Sequence, residues 1–580
     1  MSNFYSDNAD IAKTIDALDL TEVATLLEED FKFAKEYDFA PTSAEDAIDN
    51  YKRALDVCGD ICGNRIAPTS EETDKVGNIL NEDGSVTYTP GIKLAVQLLG
   101  RSGLNGCTIP YYLGGLNMPC TILTACNDIV SRADAALMNI FGLQGIAETI
   151  NSFASEEIKK EYVPGLCNGT YTGAMVLTEP DAGSDLQSVK TMAYQDENGN
   201  WFVNGVKRFI TNGCGDVLLV LARTEPGTTN GAGLSCLLVE KGPTVKIRRL
   251  EHKLGINGSP TCEMVFNNSP AKLIGQRKRG LITYVMALMN GARVGISAQA
   301  TGIGEASYRA ARDYAAARKQ FGVTIDTFPA LRELMSDMSV DLQAARLLAY
   351  YGSKSVDLEN GLTKKFESLK GTPEAMDVRK RLKLYTAFNK MLTPMSKYYA
   401  SEMSMRVSNG AIAVLGGSGY MKDYPVERYM RDARITSIYE GTSQLQVVAA
   451  IAGVMAGLYK DVIADIYTGI DTSAFESEKA DIAKLVAELD SAVEYVKAHP
   501  EGKVYHDLHA RQLVDGAITA INAALFIRMA AKFEEKKPVL AYWLATKFPT
   551  AYAELAKAKS GYMASVTDFE KIAPAVTLAD

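Results

Sequence analysis

Apolar residues recur at helical spacing through the first part of the chain. One such pattern covers residues 18–27, and a second covers residues 92–99. Apolar positions three and four residues apart lie on one face of an α-helix. The stretch 100–119, which is rich in glycine and proline, interrupts this periodicity and indicates a loop-rich connection. Residues 1–170 are therefore predicted to form an amino-terminal helical domain.

The pattern changes character over residues 171–285. Short apolar runs, such as 218–221 and 236–239, alternate there with Asn-Gly pairs. Asn-Gly between short apolar runs is a strong local signal for a β-hairpin. The region is therefore predicted to be a small antiparallel β-domain, with turns at the pairs that begin at Asn198, Asn204 and Asn212.

Helical periodicity returns after the β-domain and continues through the rest of the chain. Residues 286–455 contain long stretches rich in Ala, Leu and Met, and residues 456–580 contain further amphipathic patterns. The charged stretch 354–381 is predicted to be a solvated excursion between two helices. The fold class is therefore α+β and mostly α, with a helical bundle at 286–455 and an additional helical domain at 456–580.

Composition narrows the class of protein. A chain of 580 residues is long enough for several domains, and its net charge of −9 argues against nucleic-acid binding as the main function. Neither a secretory signal nor a run of 18 apolar residues is visible, so a cytoplasmic enzyme without membrane spans is expected. The nine cysteines lie between Cys58 and Cys262 and are expected to be reduced core thiols rather than metal ligands.

Four segments, in a fixed order, carry the chemistry. Two lie in the predicted β-domain, and two lie in the predicted bundle. They are Met175–Asp185 (MVLTEPDAGSD), Lys207–Gly213 (KRFITNG), Arg318–Gly322 (RKQFG), and Met403–Gln444, which contains YPVER, MRDAR and IYEGT. In this order they resemble the signatures of the acyl-CoA dehydrogenase family. In length the chain resembles the branch of this family that has an appended carboxy-terminal helical domain. That branch includes 3-methylmercaptopropionyl-CoA dehydrogenase.

The resemblance implies a fold and a cofactor. The family has an amino-terminal helical domain, a middle antiparallel β-barrel and a four-helix bundle, and it binds FAD in an extended form. A Rossmann-type nicotinamide site is not expected, because the chain lacks a Gly-x-Gly-x-x-Gly fingerprint. The implied FAD contacts are Met175, Leu177, Thr178, Phe209, Thr211, Arg318, Gln320, Phe321, Gly416, Gly417, Thr442 and Gln444.

The implied FAD site departs from the family at three places. Phe209 stands where the family commonly has tryptophan, so the aromatic face is kept and the indole N–H is lost. Phe328-Pro329 and Ala413 stand where the family often has glutamine. The adenine half of the cofactor is therefore expected to be held differently or less tightly.

Glu440 is the candidate catalytic base. A carboxylate next to glycine can be approached closely by a flat ligand, because Gly441 has no Cβ. The family resemblance implies that Glu440 removes the α-proton of an acyl-CoA thioester. Some family members carry the base on an earlier helix instead, but the matching position here is Ala292.

Four residues are implied to contact or support the substrate. Tyr439 and Gly441 would line the acyl chain, and Ser184 would meet the acyl-CoA near its thioester. Arg293 would orient the loop that bears Glu440, or else form an ordinary buried ion pair.

The resemblance predicts FAD-dependent α,β-dehydrogenation that yields a trans-2-enoyl-CoA. Electrons would leave to an electron-transfer flavoprotein, and the enzyme would be a homodimer or homotetramer. Two alternatives stay open. One is an oxygen-using acyl-CoA oxidase, and the other is a DNA-associated flavoprotein with weak dehydrogenase activity.

Overall fold

The computed structural model describes residues 2–575, without the side chains of Gln144 and Ala287. The chain forms two compact units. One comprises Met1–Thr386 and Ser396–Ser443, and the other comprises Ala387–Met395 and Gln444–Asp580. This division is coarser than the four predicted domains, whose boundaries at 170, 285 and 455 stay predictions.

The amino-terminal part of the first unit is helical, as predicted. Local capping explains several helix starts: Ser43 accepts a hydrogen bond from Asp46 N, and Asp134 accepts from Ala136 N. A two-stranded hairpin, β1 (Ile79–Leu80) and β2 (Val86–Thr87), interrupts the helices. The α-helices of this part are α1 Ala9–Leu18, α2 Thr21–Leu27, α3 Ala44–Ile61, α4 Ser70–Val76, α5 Pro90–Arg101, α6 Cys120–Ala133, α7 Ala135–Phe141, α8 Gly145–Phe153 and α9 Glu156–Cys167.

The middle of the chain forms the predicted β-barrel. Its strands are β3 Gly173–Val176, β4 Met192–Gln195, β5 Trp201–Thr211, β6 Val217–Arg223, β7 Leu234–Glu240, β8 Val245–Leu250 and β9 Thr261–Ile274. The pairing β6–β4–β5–β9–β7 returns from β7 to β6, which closes the sheet. Most pairs are antiparallel, but β3 and β4 each pair with β6 in parallel. β3 is an edge strand of the described sheet: one of its edges pairs with β6, and its other edge has no neighbouring strand.

One of the predicted turns is wrong. Asn198-Gly199 lies in the connection between β4 and β5, and Asn212-Gly213 follows β5, but Asn204-Gly205 lies inside β5 at a register shift. Gly205 has φ +152°, and a Cβ there would lie 2.5–2.8 Å from atoms of Thr191. Glycine therefore permits a β-bulge and a close backbone approach at this position.

The rest of the first unit and the second unit, as far as residue 575, are almost entirely helical. The elements are α10 Met286–Ala317, β10 Lys319–Gln320, β11 Val323–Thr324, α11 Pro329–Ser368, α12 Ala375–Leu415, α13 Val426–Thr436, α14 Ser443–Met455, α15 Tyr459–Tyr467, α16 Glu476–Ala498, α17 Gly502–Lys532, α18 Lys537–Ala558, α19 Ala564–Thr567 and α20 Phe569–Ile572. The mostly helical α+β fold class is thereby confirmed.

The predicted excursion at 354–381 is largely helical. α11 continues through Ser368, and only six residues separate it from α12. The reason is that Leu358, Gly361 and Leu362 keep one face of α11 buried, while the charged residues project from the other face. The high content of charged residues therefore led to a wrong position for the end of α11.

Two helical segments are long and apolar enough, by length and composition, to cross a bilayer: 280–317 and 502–532. In the folded protein, 53% and 89% of their most apolar windows are buried by other residues of the chain. The expectation of a chain without membrane spans stays a prediction.

The nine cysteines are all free thiols, and eight of them are buried. Among the described residues, no group of three or more histidine, cysteine, aspartate or glutamate side chains could hold a metal ion.

Candidate functional site

The loop between α13 and α14 carries the candidate base in a strained conformation. Glu440 has φ +53° and Gly441 has φ +89°. A left-handed backbone costs a residue with a Cβ about 1–3 kcal/mol and recurs at functional sites. Two consecutive residues with positive φ reverse the direction of the chain sharply, and contacts with the surrounding structure must stabilise this turn.

Helix α12 supplies that support. The Lys397 ammonium donates to the carbonyl oxygen of Gly441 at 2.7 Å. The hydroxyl of Ser443 donates to Glu402 at 2.5 Å, and the hydroxyl of Ser401 donates to the carbonyl oxygen of Thr436 at 2.8 Å. Side chains on one helix thus hold the loop at its start, middle and end.

The carboxyl of Glu440 lies in an environment suited to a base. The residue is half-buried. Burial raises the pKa of Glu440 to about 7, and the charges of Arg293 and Lys397 oppose that rise. Burial in turn lowers the pKa of Lys397 to about 7, against the attraction of Glu440. A carboxyl whose pKa lies near neutrality can accept a proton from a weak acid and release it again.

Arg293, on α10, is the second cation near Glu440. Burial lowers its pKa, and the charge of Glu440 counteracts this effect. One guanidinium nitrogen donates to Asn290 at 3.0 Å, whereas the Nε atom is buried and has no hydrogen-bond partner among the described residues. The charge of Arg293 thus acts on Glu440, and the predicted orienting role of Arg293 stays a prediction.

Tyr439 connects the loop to two helices. Its hydroxyl lies 3.0 Å from the amide oxygen of Asn139 on α7 and also contacts the amide oxygen of Gln299 on α10. Gln299 itself donates to Asn139 at 2.9 Å. This buried network fixes the residue that precedes Glu440.

The first two sequence motifs meet at a buried ion pair. Lys207, which is 0% exposed, lies 2.9 Å from Glu179 and donates to the carbonyl oxygen of Leu177 at 2.7 Å. The backbone N–H of Arg208 donates to the carbonyl oxygen of Thr178 at 3.0 Å. The end of β5 is thereby fixed against the segment that contains Met175, and the five predicted FAD contacts of these two motifs come together.

These residues fit the polar edge of a flat ligand. Thr178 and Thr211 are half-buried, and their hydroxyls have no partner among the described residues. Phe209 is 52% exposed at φ +61°, with the Arg208 guanidinium over its ring. Met175 is half-buried, whereas the Leu177 side chain is buried in the core, so Leu177 can offer only its backbone. Two free hydroxyls beside an exposed aromatic ring fit the isoalloxazine of FAD.

The third motif forms a projecting hairpin. β10 and β11 pair around Phe321 and Gly322, which have φ +52° and +83°. Arg318 and Gln320 are exposed, and Phe321 is 94% exposed. The ring of Phe321 is therefore accessible to a ligand or a second protein.

The glycine-rich turn after α12 lies at the same end of the bundle. Tyr314, one turn before the hairpin, donates to Ser418 at 3.2 Å. A Cβ on Gly416 or Gly417 would meet no atom within 4 Å, so both glycines face open space. We call the turn at Gly416 and Gly417 the glycine cradle. The glycine cradle and the hairpin fit a phosphate-containing chain such as the distal part of FAD.

Three predicted contacts are less well defined. Ser184 is exposed on the loop after β3, and within residues 2–575 no hydrogen bond joins it to the Glu440 loop. Thr442 is half-buried beside Gly441, and Gln444 is exposed near the start of α14, where it accepts a hydrogen bond from Arg511 at 3.4 Å. The roles of all three residues stay predictions.

Lys397 is the residue that sequence reasoning missed. A signal was present, because Lys397 is the only charged residue in the run 391–400. A lone cation in an apolar helical stretch is rarely buried without a partner. Its partner, a backbone carbonyl 44 residues away, could not be identified from spacing.

The chain matches known proteins over most of its length. Family models for the acyl-CoA dehydrogenase amino-terminal, middle and carboxy-terminal domains match residues 50–170, 174–269 and 279–455. A Bacillus subtilis acyl-CoA dehydrogenase is 36% identical over 60% of this chain and 86% of its own length. The 3-methylmercaptopropionyl-CoA dehydrogenase of Ruegeria pomeroyi is 32% identical over 70% of each chain.

A solved structure extends the likeness of the fold beyond these models. The Bacillus anthracis acyl-CoA dehydrogenase complexed with FAD has a TM-score of 0.73, with 22% identity, over 88% of each chain. At that identity the likeness shows the fold alone. The family models together match more than half of the chain, and the chain therefore belongs to the acyl-CoA dehydrogenase family.

Proposed function

We propose that this protein catalyses FAD-dependent α,β-dehydrogenation of an acyl-CoA thioester, with Glu440 as the base. The observation that carries the proposal is the half-buried carboxyl of Glu440, whose pKa burial raises to about 7. It lies on a loop that Lys397 holds and beside a cation, Arg293. Such a group is ionised often enough to act and basic enough to accept a carbon-bound proton.

The residues around Glu440 would have separate roles in the reaction. Glu440 takes the α-proton, and the backbone N–H of Glu440 is a candidate donor to the thioester oxygen, where negative charge develops. Tyr439 and Gly441 border the acyl group. Lys397 and Arg293 keep the carboxyl oriented, and they keep its pKa from rising further.

Bound FAD would supply the hydride acceptor for the β-carbon. Met175, the backbone of Leu177, Thr178, Phe209 and Thr211 would hold the isoalloxazine. The pyrophosphate and adenosine would lie against the hairpin and the glycine cradle. The substrate would lose its α-proton to Glu440 and a hydride from its β-carbon, which would give a trans-2-enoyl-CoA. An electron-transfer flavoprotein would be the electron acceptor of the enzyme.

Two further features belong to the proposal. A homodimer or homotetramer is supported by the 94% exposure of Phe321 on a projecting hairpin. A cytoplasmic location is supported by nine free thiols, because oxidising compartments favour disulfides.

The test mixes the yellow holoenzyme anaerobically with a panel of saturated acyl-CoAs and follows the flavin absorbance. At least one thioester should bleach the flavin. The Glu440→Gln variant should retain FAD and bind the thioester, but it should bleach at least about a thousandfold more slowly, because the general base is lost. Bleaching by this variant at the wild-type rate would exclude Glu440 as the base.

A matched control and one added measurement complete the experiment. Glu427→Gln changes a carboxylate on α13 that pairs with Arg431, away from the loop, and it should bleach normally. The reduced holoenzyme is then exposed to air. Slow reoxidation supports the dehydrogenase, and fast reoxidation with release of hydrogen peroxide supports an acyl-CoA oxidase.

A further inference from the structure

Asn212, the residue after Thr211, links the end of β5 to the start of β3. It is 0% exposed and has φ +52°. Its backbone N–H donates to the carbonyl oxygen of Pro260 at 2.7 Å, and its side-chain Nδ2 donates to the carbonyl oxygen of Gly173 at 2.9 Å. The strand that begins at Gly173 carries Met175. Asn212 therefore joins the two segments that contain the predicted isoalloxazine contacts.

The orientation of the Asn212 amide identifies a further partner. A backbone carbonyl can only accept hydrogen bonds, so the amide nitrogen must face Gly173 and the amide oxygen must face away from it. That oxygen, Oδ1, accepts a hydrogen bond from the hydroxyl of Tyr88. Burial raises the pKa of Tyr88, so its hydroxyl stays protonated and remains a donor. Both ends of the buried amide are thus satisfied by residues outside β5.

Tyr88 reaches Asn212 from the connection between β2 and α5. It is half-buried and packs against the apolar core of the barrel. The next residue, Thr89, caps α5, because its side-chain oxygen accepts a hydrogen bond from the backbone N–H of Ile92 at 3.4 Å. The position of the Tyr88 hydroxyl is therefore fixed by a capped helix on one side and by the barrel core on the other.

Thr211 lies between two sets of contacts. On one side, Lys207 and Arg208 hold β5 to the segment after β3. On the other side, Asn212 holds the chain to the start of β3. Thr211 itself is half-buried, and its hydroxyl has no partner within the described part of the chain. Its backbone is thus anchored before and after, whereas its hydroxyl is left for the polar edge of a flat ligand.

We propose that Tyr88 is a positioning residue for the flavin: through Asn212 it holds the Thr211 hydroxyl in place for the polar edge of the isoalloxazine. This inference rests on the proposed function. Among the described residues, loss of the Tyr88 hydroxyl leaves Oδ1 of Asn212 with the thiol of Cys214, at 3.8 Å, as its donor. A thiol is a weak donor. Because an unsatisfied buried acceptor is costly, the amide should rotate and weaken its bond to Gly173.

The test measures two properties of the bound flavin. Fluorescence titration of the apoprotein gives the dissociation constant of FAD, and the absorbance spectrum of the holoenzyme reports hydrogen bonds to the ring. Tyr88→Phe keeps the aromatic ring and removes only the hydroxyl. It should bind FAD about three- to tenfold more weakly, the effect of one hydrogen bond. It should also shift the flavin spectrum in the same direction as Thr211→Val does.

A double-mutant cycle separates positioning from a general loss of stability. If Tyr88 acts through Thr211, then Tyr88→Phe should change neither the affinity nor the spectrum once Thr211→Val is present. Effects that add would show that Tyr88 acts only on the fold, and they would overturn the inference. If Tyr88→Phe does not fold, Asn212→Gly decides, since glycine accepts the positive φ of this position. Asn212→Gly should weaken FAD binding at least as much, and an unchanged affinity overturns the inference.

Tyr194→Phe is the matched control, because Tyr194 also donates to an asparagine Oδ1, that of Asn268, at 2.9 Å. Tyr194 pairs with Phe202, nine residues before Thr211 on β5. Nine residues of strand span about 30 Å, so this variant should leave both flavin properties unchanged. Unchanged affinity and spectrum in a folded Tyr88→Phe protein overturn the inference and leave the proposed function intact. If the wild type binds no FAD, the proposed function fails as well.

Discussion

The ammonium of Lys397 lies 2.7 Å from the carbonyl oxygen of Gly441, the residue that follows the candidate base. This contact joins α12 to the point at which two consecutive residues adopt left-handed backbone conformations. Lys397 also lies close enough to Glu440 for its charge to lower the pKa of that carboxyl. One side chain therefore acts on both the position and the basicity of Glu440.

Replacement of Lys397 by methionine should raise the pKa of Glu440 further, because one of two opposing cations is lost. The rising limb of the pH profile of kcat/KM should move to higher pH by roughly one unit. The measurement is flavin bleaching by stopped flow between pH 5 and 9. A variant that merely loosens the fold would lower the rate at every pH and leave the midpoint in place.

Lys383→Met is the control for that change. Lys383 is exposed on the same helix, so its loss should leave both the midpoint and the maximal rate unaltered. An equal shift in both variants would show that Lys397 acts only through the net charge of the protein.

The wild-type enzyme should lose activity as the pH falls through about 7. Glu440 must be ionised to accept a proton, and burial raises its pKa to about 7 from the usual range of a carboxyl. Activity is therefore complete above that pH and is lost below it. A midpoint near 4.5, the value of a solvated glutamate, would contradict the buried environment of this carboxyl.

Loss of Lys207 should destabilise the first unit strongly. Lys207→Met leaves Glu179, which is 5% exposed, without its cation. Removal of one partner of a buried pair costs about 3–5 kcal/mol in the free energy of unfolding. Lys190→Met is the control, because Lys190 and its partner Asp181 are 76% and 78% exposed. Urea denaturation of both variants, followed by circular dichroism, should show a large loss in the first and almost none in the second.

Phe321→Ala should weaken FAD binding and subunit association without affecting the stability of the fold. The side chain is 94% exposed, so its loss removes little packing within the chain. A lost aromatic contact of about 1.5 kcal/mol corresponds to a roughly tenfold weaker affinity for FAD. Fluorescence titration of the apoprotein with FAD measures this, and size-exclusion chromatography reports association. Phe569→Ala, 55% exposed in the second unit, should change neither.

Much of the architecture follows from local patterns. Helical periodicity and the Asn-Gly turns at Asn198 and Asn212 predicted the order of helical and β regions, because these signals depend on neighbours in sequence. Asn204-Gly205 has the same local signal but lies in a bulge, since Thr191 approaches its backbone. The end of α11 was misplaced for a similar reason: burial of Leu358 and Leu362 decides it, and charge counts do not report burial.

The site divides in the same way. Glu440 and Glu179 lie in motifs that a reader can recognise, but their partners Lys397 and Lys207 are brought to them by packing over 43 and 28 residues of sequence.

The middle of α12 has a consequence for shortened forms of this protein. Residues Ala387–Met395 group with the carboxy-terminal unit, and Phe388, Met391 and Leu392 are at most 1% exposed. A chain that stopped at residue 443 would carry these apolar side chains uncovered on the helix that also holds the loop bearing Glu440. The segment after residue 443 thus cannot be removed without exposing these apolar side chains. Truncation should give an insoluble or self-associating product rather than a minimal dehydrogenase.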